Sequence, residues 1–275
     1  MTEEKNISND ELKELQELVL YRYGYDFSQY SKASFVRRVL RFFEVAGVAS
    51  FYDFKYNLVN NKEFFAFFLE NVTVNVTEMF RDPSFYRGLR EKVLPALATY
   101  PVIKIWHAGC ATGEEVFSMC ILLEEAGLLS RSIIYATDIN PKNLDQAKKG
   151  IIPLTAMKEY IQNYHLSGGR QDFSSYYTAR YDNVLIKKEL RKNIVFSQHN
   201  LVTDYAFNEF QLVLCRNVMI YFEKELQNRV MHLFYDSLPS GGYLALGIKE
   251  SLLFTDVRWK FETVDAASKI FRRKT

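Results

Sequence analysis

Five short apolar runs recur between residues 102 and 248: "VIKIW", "SIIYATD", "NIVFSQH", "FQLVLC" and "GYLALGI". Helical stretches separate most of them, namely "EEVFSMCILLEEAG", "PKNLDQAKKG" and "EKELQNRVMHLFYDSL". In the last, Leu226, Val230, Leu233 and Leu238 mark one apolar stripe. Strands that alternate with helices imply a mainly parallel sheet with right-handed crossovers, which excludes all-β and all-α architectures for this part of the chain. The tail departs from the pattern. "FETV" and "KIFRR" are joined by "DAAS", too short for a helical crossover, so an antiparallel hairpin at the sheet edge is expected. The stretch from Ile151 to Lys192 also breaks the alternation: a helix, "TAMKEYIQNYHL", precedes Gly168-Gly169 and "FSSYYTARYDNVLIKKELRK". Its alternating residues predict a small antiparallel β insertion at about 168–192.

Before Pro101 the periodicity is helical. "DELKELQELVLYRYG" places Leu12, Leu15, Leu18 and Val19 on one face and stops at Gly24. "SFVRRVLRFFEVAG" repeats apolar residues at Val36, Val39, Leu40 and Phe43 before Gly47, and "FYDFKYNLV" and "KEFFAFFLENV" add two shorter helices. An all-helical N-terminal domain over 1–90, with a linker helix at 82–100, is therefore expected to precede an α/β domain over 101–275.

With 275 residues, 48% of them hydrophobic, the chain can bury a substantial core. Its net charge of +2 implies neither a nucleic-acid partner nor an acidic tail. No stretch approaches the roughly 20 apolar residues needed to span a bilayer. The opening "MTEEKNISND" has no h-region of a secretory signal, and three cysteines, Cys110, Cys120 and Cys215, fit reduced thiols. The expectation is a cytoplasmic protein. His107, His165, His199 and His232 are scattered, so no metal site is expected.

The turn "HAGCATGEEV" follows the first strand and opens a helix. A phosphate loop would place Gly-Lys-Ser or Gly-Lys-Thr there, and a dinucleotide fold G-x-G-x-x-G. Instead Gly109 and Gly113 are spaced G-x-x-x-G, and Glu114 and Glu115 follow. Carboxylates at the mouth of the turn disfavour pyrophosphate and favour a ligand that offers hydroxyls or positive charge. S-adenosylmethionine has a ribose, an ammonium, a sulfonium and no phosphate. Asp138 ends the second strand, where an open α/β sheet places an acid for ribose hydroxyls, although a strand-terminal Asp also caps helices.

Four segments together resemble the CheR-type chemotaxis receptor methyltransferases over nearly the whole chain. "NVTVNVTEMFRDPSFY" is similar to the family's N-x-T-x-F-F-R signature, with Met79 in place of one aromatic. "HAGCATGEEVFS" resembles its A-x-x-T-G-E-E-P-Y-S turn, "HNL" its element after the third strand, and "CRNVMIYF" its fourth-strand motif. The resemblance implies a Rossmann-like S-adenosylmethionine-dependent methyltransferase sheet with an N-terminal all-helical domain and a small antiparallel β insertion. It implies transfer of methyl from S-adenosylmethionine to glutamate side chains of chemotaxis receptors, with S-adenosylhomocysteine as product. Cofactor contacts carry over to Asn75, Thr77, Arg81, Glu114, Asp138, Asn200, Leu201, Arg216 and Asn217. Arg81 suits a planar carboxylate. Asn75 and Thr77 serve equally well as caps of the helix that follows.

A glutamate acceptor has a reference pKa near 4.3, so it is ionised at neutral pH and needs no general base. Catalysis then rests on alignment and on exclusion of water. Tyr221 is a candidate for orienting the acceptor, and equally a core aromatic with its hydroxyl at the surface. Arg37, Arg38 and Arg41 are expected on the helix face opposite the apolar stripe. A solvated basic face explains them; in the resembled family a basic helix of this domain meets acidic receptor helices. The insertion resembles in placement the subdomain through which some members grip a receptor's C-terminal peptide. "GIKES" departs from the family's Ser-Glu by placing Lys249 before Glu250, which bears on the acceptor. Two alternatives stand beside this expectation: a carboxyl methyltransferase with another acidic acceptor, and a cofactor-binding sensor or scaffold without turnover.

Overall fold

The computed structural model describes residues 7–275; residues 1–6, which begin the polar segment without an h-region, lie outside the described residues. It divides into two compact units. The first runs up to Val74 and includes Tyr221–Gln227; the second comprises Asn75–Ile220 and Asn228–Thr275.

In the first unit, α1 (Asn9–Tyr23) begins at Ser8, whose hydroxyl accepts from Glu11 N while the Glu11 carboxylate accepts from Ser8 N. It ends at Gly24 in the left-handed region. Helices α2 (Lys32–Val45), α3 (Phe51–Asn60) and α4 (Lys62–Val72) follow, with Asn61 capping α4. Phe27, Phe35, Phe42, Phe54 and Phe68 are buried together, and edge-to-face pairs such as Phe42–Phe68 each add about 1 kcal/mol beyond area burial. The buried stripe of α2 is Phe35, Val39, Phe42 and Phe43, whereas Val36 and Leu40 are half-buried. The core thus centres on the phenylalanines, because the largest side chains remove most apolar area from water. Arg37 and Arg41 stay exposed, but Arg38 lies at the flank of this rotated stripe and is drawn inward. Its guanidinium sits 4.8 Å over the Tyr221 ring, and Nη1 donates to the Val72 carbonyl at 3.4 Å. Tyr221–Gln227 joins this unit through Ser31 N to Tyr221 O (2.8 Å), Glu223 N to Gln29 O (2.8 Å) and the Tyr30–Phe222 ring contact.

The second unit starts with α5 (Pro83–Gly88), a π turn and α6 (Leu94–Leu97). Phe85, Tyr86, Leu89 and Leu97 are buried in the same core as the sheet. The boundary between units therefore falls at Val74, not near residue 90, since these apolar faces are satisfied by the α/β core.

Then come β1 (Ile103–Ala108), α7 (Glu114–Glu125), β2 (Ser132–Asp138) and α8 (Pro141–Lys149). Next are β3 (Ile151–Pro153), α9 (Met157–Leu166), β4 (Tyr177–Arg180), β5 (Asn183–Ile186) and α10 (Lys188–Arg191). The chain continues with β6 (Ile194–Gln198), β7 (Leu212–Cys215), α11 (Lys224–Asp236), β8 (Tyr243–Leu246), β9 (Phe261–Asp265) and β10 (Ile270–Arg273). The main sheet has the order β6-β2-β1-β7-β8-β10-β9; its first five strands are parallel, and the terminal hairpin is antiparallel. The fold is Rossmann-like α/β, as the alternation predicts. The insertion is a three-stranded antiparallel sheet, β3-β5-β4. Its first strand precedes α9, earlier than expected, because three residues ending in Pro153 carry no strand periodicity. Strand order reverses between β1 and β7, and ligands of open α/β sheets bind outside the carboxyl ends of strands at such a point. No helix is long and apolar enough to cross a membrane among the described residues.

Candidate functional site

The turn after β1 is held to β2 by two backbone donors, Gly109 N and Cys110 N, which share the Thr137 carbonyl at 2.8 Å each. Gly109 has φ +80°, and a Cβ there would lie 2.5 Å from Val218 Cγ2. Gly113, at φ +96°, starts α7. Between them Ala111 takes φ +46°, a conformation that needs external support in a residue with a side chain. The support is Asp138, whose Oδ2 accepts from Ala111 N at 2.9 Å. Gly109→Ala combines left-handed strain with overpacking against Val218, and we expect it to destabilise the protein by about 2–4 kcal/mol. Urea unfolding measures this, and adding Val218→Ala should restore only the steric part.

Asp138 is the hub of the site. Its Oδ1 accepts from Asn140 N (2.9 Å) and Asn143 Nδ2 (3.1 Å), and the Asn143 amide also reaches Asn75 Oδ1 at 2.7 Å. Asn140, not Asp138, caps α8. Asn75 and Thr77 cap no helix either, since the residue before α5 is Asp82. The Ile139 backbone N–H also lowers the Asp138 carboxyl, so the protein's own donors take up most of its roughly four lone-pair positions. Glu114 is likewise buried, with one oxygen accepting from Thr112 Oγ1 at 2.7 Å. Burial pushes both carboxyls above their usual range, against the hydrogen bonds that lower them. Neither has an ion-pair partner among the described residues. Two buried, uncompensated carboxylates suit hydroxyls and a cation.

Arg216 is buried, and both of its terminal nitrogens are committed. Nη1 donates to Glu115 Oε2 (2.9 Å), Nη2 to Asp82 Oδ2 (2.7 Å) and the Arg81 carbonyl (3.3 Å), and the guanidinium lies 4.0 Å over the Phe85 ring. Glu115 also contacts His107 Nδ1 at 3.0 Å. Burial alone would raise the Glu115 carboxyl, but His107 and Arg216 together hold it below its ordinary value. Arg216 thus ties the turn after β1 to the segment before α5. Arg81 itself is half-buried, and its guanidinium has no hydrogen-bond or ion-pair partner within 4 Å among the described residues. Its segment is strained, with Phe80 at φ +53° and Asp82 at φ +59°, and is fastened by Phe80 N to Ser118 Oγ at 2.9 Å.

Asn217 is the fourth non-glycine residue in the left-handed region around this edge, at φ +62°. Glu250 holds it there. Its two oxygens accept from Gly247 N (2.6 Å), Asn217 N (3.0 Å), Val218 N (2.9 Å) and Met219 N (2.8 Å). Burial pushes the Glu250 carboxyl up, and these four N–H donors pull against it. Asn200 turns inward on its own loop, accepting from Val202 N at 3.0 Å, with Leu201 buried beside it.

The strand ends of the second unit therefore bring together Asn75, Glu114, Asp138, Arg216 and Asn217, with Thr77 and Arg81 on the same fastened segment and Asn200 and Leu201 after β6. Tyr221, Arg37, Arg38 and Arg41 belong to the first unit. Lys249 is exposed. Sequence reasoning did not single out Asp82 as part of the site, and it placed Glu115 with Glu114 at the mouth of the turn for a ligand, whereas the structure commits Glu115 to Arg216 and His107. Glu250 carried a signal as the acid that follows the fifth strand's glycine, but no bracing role was read from it. Among the described residues no group of three or more His, Cys, Asp or Glu is placed to hold a metal.

Residues 75–270 match the family described as "CheR methyltransferase, SAM binding domain", and residues 10–73 match "CheR methyltransferase, all-alpha domain". A Pseudomonas putida protein named "Putative methyltransferase Cher3" is 48% identical over 99% of this chain and 100% of its own. A Listeria innocua protein named "Chemotaxis protein methyltransferase" is 32% identical over 84% of this chain and 86% of its own.

Proposed function

Because the chain belongs to the CheR methyltransferase family, with its S-adenosylmethionine-binding domain, we propose that it methylates glutamate side chains of chemotaxis receptors. The observation that carries this reading is the pair of buried carboxylates, Glu114 and Asp138, that lack a protein cation at the end of β1 and β2. They accept hydroxyl and ammonium donors, and the unpaired guanidinium of Arg81 complements a carboxylate. S-adenosylmethionine, when bound, would supply a sulfonium-activated methyl group for transfer to the acceptor carboxylate. Asn75, Asn143 and Ala111 N orient Asp138. Asn200 and Leu201 offer an amide and an apolar surface for adenine, and Asn217, braced by Glu250, closes the site. Arg216 works at one remove, by holding Glu115 and Asp82 so that the turn and the Arg81 segment keep their geometry. An ionised acceptor needs no proton removed, so alignment and water exclusion carry the rate. Arg37, Arg41 and Tyr221 stand as candidate acceptor contacts.

Incubation with methyl-labelled S-adenosylmethionine and membranes of the host should label a receptor polypeptide, and mild alkali should release the label as methanol. Label that resists alkali would exclude a carboxyl ester, and base-labile label on another polypeptide would replace the acceptor. Binding of S-adenosylhomocysteine without labelling of any polypeptide would make the protein a sensor.

A further inference from the structure

A groove of about 350 Å³ lies along the terminal hairpin of the second unit, apart from the strand ends that form the cofactor site. Phe261 and Phe271 contribute from β9 and β10, and Leu253 and Trp259 from the connection after β8. Leu253 is 54% exposed and Trp259 74%, so the groove carries apolar surface that the fold leaves in water. Three cations line it, Arg258, Lys269 and Lys274, and no carboxylate does. Neither lysine has an acidic partner among the described residues, while Arg258 stacks over the Trp259 ring at 4.7 Å. Beside the groove, β9 is the last strand of the sheet, hydrogen-bonded to a neighbour on one side only.

We propose that this groove docks an extended acidic peptide segment that carries an aromatic or aliphatic side chain. The open edge of β9 supplies main-chain donors and acceptors for an added strand, and alternate side chains of that strand point into the groove. Trp259 gives the apolar anchor, of the residue type that most often dominates binding energy. The three unmatched cations select for carboxylates and speed the encounter. A second copy of the chain would bring the same three positive charges against these, and a phosphate backbone has no side chain for an apolar-walled cleft. The occupant is therefore an acidic polypeptide.

The test uses the full chain and a fluorescein-labelled eight-residue peptide that alternates Glu with Leu and Phe, followed by anisotropy. Saturable binding is expected, weakened at least tenfold by Trp259→Ala and by the Lys269→Glu, Lys274→Glu pair, and weakened by salt. A peptide with Lys in place of Glu should not bind. Affinity for S-adenosylhomocysteine should be unchanged in the variants, which establishes that they are folded. The proposal is overturned by absence of acidic-peptide binding at millimolar concentration, or by binding that both variants leave intact. It is overturned equally if oligo(dT) or phosphatidylserine vesicles bind tighter than the peptide and are lost in the same variants, or if sedimentation shows a dimer that Trp259→Ala dissolves.

Discussion

Asp138→Ala is expected to weaken S-adenosylhomocysteine binding by about 100-fold or more while leaving the helical unit folded. A ligand hydroxyl that shares the carboxylate with the protein's own donors makes a hydrogen bond to a charged acceptor, worth about 1.5–3 kcal/mol. The substitution also removes the acceptor that holds Ala111 at φ +46° and frees the Asn143 amide that reaches Asn75. Relaxation of the turn adds to the direct loss, which brings the total to about 3 kcal/mol, or two orders of magnitude in affinity. Asp138→Asn keeps one oxygen acceptor and loses the charge, so its affinity should fall between the two. Calorimetric titration reads both. Equal affinity of wild type and Asp138→Ala would remove Asp138 from the site and, with it, the assignment of the ribose to this edge.

Arg216→Met should cost about 3–5 kcal/mol of stability at neutral pH, the typical penalty for removing one member of a buried ion pair. Methionine fills space against Phe85 but leaves Glu115 without its guanidinium and with burial opposed by His107 alone. The pH dependence has a defined sign. In the wild type the folded Glu115 carboxyl lies below its ordinary value, so its contribution is present above the unfolded pKa and is lost as pH falls through the folded one. In the variant the same carboxyl moves upward and regains stability by protonation as pH falls. The difference between the two proteins should therefore be largest at neutral pH and shrink in acid. Urea midpoints taken from pH 7 down to pH 4 decide it. A gap that stays constant over that range would mean that Glu115 is not the partner left behind. Arg216→Lys should recover little, because one ammonium cannot span Glu115 and Asp82 in the fork that the guanidinium uses.

Much of the second unit is legible in local pattern. Period-two and period-3.6 apolar runs depend on near neighbours, so β1, α7, β2, α8 and the hairpin β9–β10 can be anticipated from a few residues at a time. The chemistry of the turn is equally local: the spacing of Gly109 and Gly113 and the acids after them depart from phosphate-binding loops without reference to the rest of the chain. Four quoted motifs then carry the family resemblance, and Asp138 is found because a strand ends at it.

What brace the site are contacts that no window contains. Arg216 reaches Asp82 across 134 residues and Glu115 across 101, and Glu250 reaches back 33 residues to Asn217. A lone Arg, Glu or Asp in a sequence reads as a surface charge. It becomes a buried clamp only when folding takes it out of water and leaves opposite charges or bare N–H groups as its sole partners. The face of α2 was settled in the same way: spacing alone fits a stripe on Val36 and Leu40, but the bulk of Phe35 and Phe42 rotated the helix and drew Arg38 in. Periodicity, a property of neighbours along the chain, determined which elements form. Desolvation, a property of neighbours in space, decided which charges are paired, which backbone strain is supported and that Glu114 and Asp138 are buried without a protein cation among the described residues.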